Sequence, residues 1–92
     1  MRLIARKFFV SGLVQGVGFR FFTQRAAARH QVLGYVKNLA DGRVEAYVEG
    51  SEVSVKAFHE ELLVGPNFSR VEEVEEIVLD PSGEFAAFII GK

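Results

Sequence analysis

Apolar and polar residues alternate with period two over Arg43–Glu49, with Val44, Ala46 and Val48 on one side and Glu45, Tyr47 and Glu49 on the other. That spacing belongs to a β-strand with one face in a core. Asp41-Gly42 just ahead is a tight hairpin signal, so the preceding run from Gln31 to Leu39 reads as the partner strand. Leu3 to Val14 is rich in Phe, Val and Leu and ends at glycines, which predicts a first strand with Phe8 and Val10 on one face and Phe9 and Ser11 on the other. Between these strands the period changes. Phe21 to about His30 reads as a helix with Phe22 and Ala26 on one stripe and Phe19 close to its start. A second helix follows Gly50: Ser51 suits the N-cap, Glu52 suits the first turn, Val55, Phe58 and Leu62 share a face, and Gly65-Pro66 stops it. Val71 to Asp80 reads as a fourth strand, Pro81-Ser82-Gly83 as a turn, and Phe85 to Ile90 as a short terminal strand.

The order is β-α-β-β-α-β with a small extra strand. It predicts an α+β, ferredoxin-like sandwich, an antiparallel sheet with two helices on one face, as one domain over residues 1–92. Phe8, Val10, Phe22, Ala26, Val36, Val44, Val48, Phe58 and Leu62 are expected in one core. The second strand is expected to run beside the first. The far sheet face is expected to stay open, with Phe9, Tyr35 and Tyr47 as partly exposed aromatics that stiffen it.

Composition narrows the classes of function. Nearly half of the 92 residues are hydrophobic, nine of them Phe, so a core can form without staples. There is no cysteine, which removes disulfides and thiolate metal sites and fits a cytoplasmic setting. No apolar run is long enough to span a bilayer, and Met1 to Lys7 lacks the apolar middle of a signal peptide. A net charge of −1 favours neither nucleic acid nor an anionic membrane as partner. Any strong positive potential has to be local.

Gly12-Leu-Val-Gln-Gly-Val-Gly-Phe-Arg20 is where that potential would sit, at the join between the first strand and the first helix. Glycine lets backbone N–H groups crowd toward one point, and a helix start adds unpaired N–H groups and its positive dipole end. Arg20 adds a fixed cation. Together these suit an oxyanion of phosphate-like shape. The spacing fits neither G-x-G-x-x-G nor G-x-x-x-x-G-K-[ST]. Read from the residues alone, the loop is either such a cradle or a turn that uses glycine only for geometry. An arginine at a helix start opposes the dipole, which calls for a compensating carboxylate or ligand.

The same nine residues resemble the loop signature of the acylphosphatase family. Gly34-Tyr-Val-Lys-Asn-Leu-Ala-Asp-Gly-Arg-Val-Glu45 resembles that family's second signature, at a matching separation. The resemblance covers essentially the whole chain. It implies hydrolysis of acyl phosphates to a carboxylate and inorganic phosphate, without metal or cofactor. It makes Arg20 the phosphate-binding arginine, makes the backbone N–H groups of Gln15, Gly16, Val17, Gly18, Phe19 and Arg20 the phosphate cradle, and gives Asn38 the attacking water. Without it, Asn38 reads as a strand-end or turn asparagine ahead of Asp41-Gly42. Leu39 stands where animal members often carry a small hydroxyl residue. The ending Gly91-Lys92 differs from relatives whose terminal carboxylate helps hold the arginine.

An acyl phosphate already carries a good leaving group, so positioning and electrostatics suffice, and no Cys nucleophile or Ser-His-Asp set is called for. The implied partners are a small acyl phosphate and inorganic phosphate, bound by a monomer. The rival readings are a phosphate- or acyl-phosphate-binding sensor without turnover, the same module inside a larger carbamoyl-transfer protein, and an RNA binder. The acidic third strand speaks against RNA. Thr23 reads as structural, His30 and His59 as non-catalytic, Arg25 and Arg29 as a solubilising pair, and Glu60-Glu61, Glu72-Glu73 and Glu75-Glu76 as solvated faces.

Overall fold

A computed structural model describes residues 2–91. The elements are β1 (Ile4–Leu13), α1 (Phe19–His30), β2 (Leu33–Asn38), β3 (Val44–Gly50), α2 (Glu52–Val64), β4 (Arg70–Leu79) and β5 (Phe88–Ile90). The strands form one sheet in the order β4-β1-β3-β2-β5. The first four pair antiparallel, and β5 adds to the edge of β2 in parallel, so the ferredoxin-like sheet is mixed.

This order corrects one expectation. β2 does not run beside β1, because β3 lies between them. Two parallel strands joined by a helix need not be neighbours, and here the β2–β3 hairpin inserts its second arm into the gap. β1 and β2 still point the same way, so the loop after β1 and the end of β2 meet at one end of the sheet.

The register of the strands follows their alternation. Val44, Ala46 and Val48 are fully buried under the helices together with Phe8, Val10 and Val36. Ser51 caps α2, its Oγ accepting from the Ser54 N–H at 3.2 Å. Phe58 and Leu62 of α2 close the core, the Phe58 ring lying 6.1 Å from that of Phe8. α1 starts two residues earlier than its apolar stripe suggests, and its buried positions are Phe19, Thr23, Ala26 and Ala27. Phe22 is therefore only half-buried, its ring leaning on Phe19 at 5.8 Å. The buried stripe of Phe19, Thr23, Ala26 and Ala27 leaves Phe22 at its edge. The Thr23 hydroxyl donates to the Phe19 carbonyl at 2.8 Å, an internal helix bond that answers its structural reading.

The far face of the sheet is less open than expected. Residues 80–87 do not form a strand; they cross this face before β5 begins. Beneath them Tyr47, Glu45 and Glu49 are buried, Glu49 to 2% exposure. Phe85 packs on Tyr35 and Tyr47, with ring centroids 6.0 and 5.4 Å away. Several charged groups read as solvated are also engaged. Glu61 accepts from both Arg29 and His30, joining α2 to α1, and Glu76 pairs with Arg6 at 3.4 Å. His59 stacks on Phe8 at 4.7 Å.

Candidate active site

The strand-to-helix turn is built by backbone conformation. Near the end of β1 its pairing with β4 shifts register between Ser11 and Gly12, the extra residue, Glu72, lying on β4, and the ladder then continues to Leu13. Gly16 and Gly18 then take φ values of 75° and 77°, in the left-handed region that a side chain disfavours. A Cβ at either glycine would meet nothing within 4 Å, so the cost of replacing them is conformational and the space above them is open. Gly18 is also the N-cap of α1. It offers no side-chain cap, and no acidic residue sits in the first turn. The first N–H groups of α1 therefore face the opening without a side-chain acceptor.

Val14, Gly16, Gly18, Phe19, Arg20, Phe21 and Asn38 line a cleft of about 220 Å³ at this place. Among the expected site residues, Gly16, Gly18, Phe19, Arg20 and Asn38 thus share one concavity, although Arg20 and Asn38 sit on elements separated by β3. Gln15 and Val17 belong to the same loop but do not line the cleft. Wider clefts exist elsewhere; one of about 520 Å³ runs along Ala27, Ala28, Val32, Leu33 and Phe88. It offers mainly apolar surface, and another of about 590 Å³ is lined by Arg6, Glu52, Lys56, His59 and Glu76; what sets the smaller cleft apart is that the uncapped start of α1, Arg20 and Asn38 meet in it.

Arg20 stands in the first turn of α1, against the helix dipole. Among the described residues its hydrogen-bond partner is a backbone carbonyl: an Nη donates to Gly91 at 3.2 Å. The chain after β5 thus supports the guanidinium through a neutral acceptor, and among the described residues no carboxylate pairs with it. The terminal residue, at 92, lies outside the described residues. No pattern in the sequence marks Gly91 for this role, since the bond spans 71 residues and uses only backbone on one side.

Asn38 closes β2. Its Oδ1 is the one buried side-chain polar atom among the described residues without a hydrogen-bond partner. Buried polar atoms are normally satisfied, so this orphan makes Asn38 the one unexplained buried acceptor among the described residues, on a residue that lines the cleft. Leu39 contributes its backbone: its N–H pairs with the Arg43 carbonyl at 2.8 Å, and its carbonyl accepts from Gly42 at 3.2 Å. The side chain of Gln15 reaches the same hairpin, its Nε2 donating to the carbonyls of Leu39 and Arg43 at 2.7 and 2.9 Å. The sequence reading assigned Gln15 through its backbone alone.

In chemical terms the cleft gathers N–H donors, a guanidinium and one neutral carboxamide. It can hold a tetrahedral oxyanion and place one small polar molecule beside it. Among the described residues no three His, Cys, Asp or Glu side chains group as metal ligands, and no helix is long and apolar enough to cross a membrane.

Comparison with known proteins gives the family and the fold. The acylphosphatase family model matches residues 6–90. The acylphosphatase of Moorella thermoacetica is 45% identical over 84 residues, covering 91% of this chain and 90% of its own. That of Chloroflexus aurantiacus is 42% identical over 90 residues and covers 98% of both. The crystal structure of acylphosphatase from Bacillus subtilis superposes with a TM-score of 0.93 at 36% identity, over 97% of this chain and 99% of that one.

Proposed function

The chain belongs to the acylphosphatase family, hydrolases of acid anhydrides that act on small acyl phosphates, and we propose that Arg20, Asn38 and the backbone of residues 15–20 form its active site. The observation that carries the assignment of roles is the orphaned, buried Oδ1 of Asn38 on the wall of a cleft that also holds Arg20 and the α1 N-terminus.

The substrate phosphoryl group enters the loop, where N–H groups and the planar fork of Arg20 share its non-bridging oxygens. Held this way, the phosphorus presents one side to Asn38. The Asn38 carboxamide can accept a proton-bearing contact from water through Oδ1 and donate through its amide to a phosphoryl oxygen. The water oxygen bonds to phosphorus while the phosphorus–oxygen bond to the acyl group breaks. The carboxylate leaves with the electron pair, and the protons of the water finish on inorganic phosphate. Charge builds on the phosphoryl oxygens during this exchange, and donors already in place meet it without reorganisation. The residues invoked require no metal ion for these steps.

The residues invoked lie at the β1–α1 junction and the end of β2, so a monomer suffices as the working unit. The absence of cysteine supports a cytoplasmic site of action.

Turnover of benzoyl phosphate by the protein and its Asn38→Ala variant tests the reading. The variant should lose nearly all turnover while inorganic phosphate inhibits the wild type competitively and binds the variant with similar affinity, because a contact made in the transition state leaves ground-state binding intact. Parallel loss of phosphate affinity and turnover would make Asn38 part of the cradle instead. Activity should persist in EDTA; loss that a divalent ion restores would overturn the metal-free mechanism.

A further inference from the structure

We infer that the Gln15 side chain is a positioning residue for the hydrolysis, setting the spacing between the phosphate loop and Asn38. The inference rests on the roles proposed above for the loop and Asn38. Its starting point is the strand order. Because β3 separates β1 from β2, the strand that delivers the loop and the strand that delivers Asn38 share no direct ladder and connect only through β3, whose Val44 pairs with both Val10 and Asn38. A water between them has to be placed to a fraction of an ångström by elements that do not pair.

Gln15 supplies a direct tie. Its Nε2 donates at 2.7 Å to the carbonyl of Leu39, the residue after Asn38, and at 2.9 Å to that of Arg43 across the hairpin. A primary amide has two N–H donors, and both are used. The two carbonyls already take part in closing the hairpin, through Leu39 N–H to Arg43 and Gly42 N–H to Leu39. The amide therefore docks on a rigid point.

The loop itself needs such a tie. Residues 14–18 have no regular structure, and two of the glycines are left-handed. Arg20 is anchored in another direction, to Gly91. Gln15 is thus the side chain that holds the loop against the end of β2. Asn38, with no partner on Oδ1, has no side-chain hydrogen bond of its own there to correct an error in that spacing.

The test is a double-mutant cycle on benzoyl phosphate hydrolysis, with phosphate inhibition measured for each variant. Gln15→Met keeps length and removes both donors. It should lower kcat by about ten- to a hundredfold, the scale of a small misplacement of reacting groups. The phosphate inhibition constant should stay within about twofold, because the cradle itself is intact. In an Asn38→Ala background, assayed at high enzyme concentration, Gln15→Met should cost less than about twofold more, since the water it places is already lost.

A merely structural role would give equal losses of kcat in both backgrounds, with phosphate affinity falling in step. That outcome overturns the inference and leaves the role of Asn38 standing. Full turnover by Asn38→Ala alone overturns both. Should Gln15→Met fail to show a cooperative thermal transition, Gln15→Asn, which keeps the amide but falls short of the hairpin, carries the same comparison.

Discussion

Asn38 and Glu49 each bury a side-chain oxygen, and the molecule treats the two in opposite ways. At the cleft, Asn38 Oδ1 is left without a partner. On the far sheet face, the Glu49 carboxylate accepts from the Tyr47 hydroxyl at 2.5 Å, from the Ser82 N–H and hydroxyl at 2.5 and 2.9 Å, and from the Gly83 N–H at 3.3 Å. Glu45, in the same layer, accepts from Tyr35 and lies 4.0 Å from the Lys37 ammonium. An unmet buried acceptor costs stability that folding does not recover, whereas a saturated one holds structure in place. On the proposed reading, the contrast separates a site kept ready for a ligand from a latch that pins residues 80–87 across the sheet. Titration follows the same division. Burial, and then the hydrogen bond to Glu45, raises the Tyr35 pKa above the ordinary tyrosine range. Burial followed by the bond to Glu49 does the same for Tyr47. Both stay neutral donors, as a latch requires.

The largest expected effect lies on the cleft side. Arg20→Ala should lower kcat on benzoyl phosphate by about 10²–10³-fold, the usual consequence of losing one preorganised donor, and should raise KM as well. Arg20→Lys should recover only part of this, because an ammonium cannot present a planar fork. Folding should be little affected, since Arg20 gives the described structure one hydrogen bond to a backbone carbonyl. Near-normal kcat/KM for Arg20→Ala would remove the arginine from the mechanism and erase the contrast between the two regions.

The far side should respond in the other currency. Glu49→Leu leaves the Tyr47 hydroxyl and the Ser82 and Gly83 N–H groups without their acceptor. About 1–3 kcal/mol of stability should be lost, from desolvated donors with no partner. Well below the melting temperature, kcat/KM should stay close to wild type, because Glu49 lies at the end of β3 opposite Val44, which pairs with Asn38. Urea unfolding beside a kinetic assay separates the two quantities. A rate loss without a stability loss would show that the latch serves the site.

The two regions also differ in how far the sequence discloses them. Gly16, Gly18 and Arg20 are legible because their information is local: glycines at a strand-helix join need no long-range contact to be read. The core register is legible for the same reason, as Val44, Ala46 and Val48 carry their own period. The latch is not. Glu45 and Glu49 alternate as a solvent face should, and only the path of residues 80–87 buries them. The tie from Gln15 to Leu39 and Arg43 and the tie from Arg20 to Gly91 end on carbonyls, which carry no side-chain signature. Strand order fails by the same logic: the period of β2 says which face is buried but not which strand is its neighbour. Nor does the sequence show that Arg29 and His30 both meet Glu61, since only the packing of α1 on α2 brings it to them.

The smallest effect is the most selective probe of the latch. Burial pushes the Glu49 carboxyl up, but the bonds from Tyr47, Ser82 and Gly83 outweigh it and leave the pKa below the ordinary glutamate value. The folded protein therefore binds a proton at this site less readily than the unfolded chain does. The stability from this ionised carboxylate is fully present above the unfolded value, about 4.3, and is lost as pH falls through the lower folded value. Glu49→Gln cannot titrate and turns one acceptor oxygen into an amide donor, so it should melt below wild type at neutral pH. The gap in melting temperature should narrow steadily as the pH is lowered from about 5 toward 3. Asp41 and Glu61 also have lowered values and add their own acid sensitivity. They are common to both proteins, so the difference between the two curves isolates Glu49. A gap that stays constant through this range would mean that Glu49 is held equally well with its proton on, and that its neighbours act as spacers instead of donors to a charge.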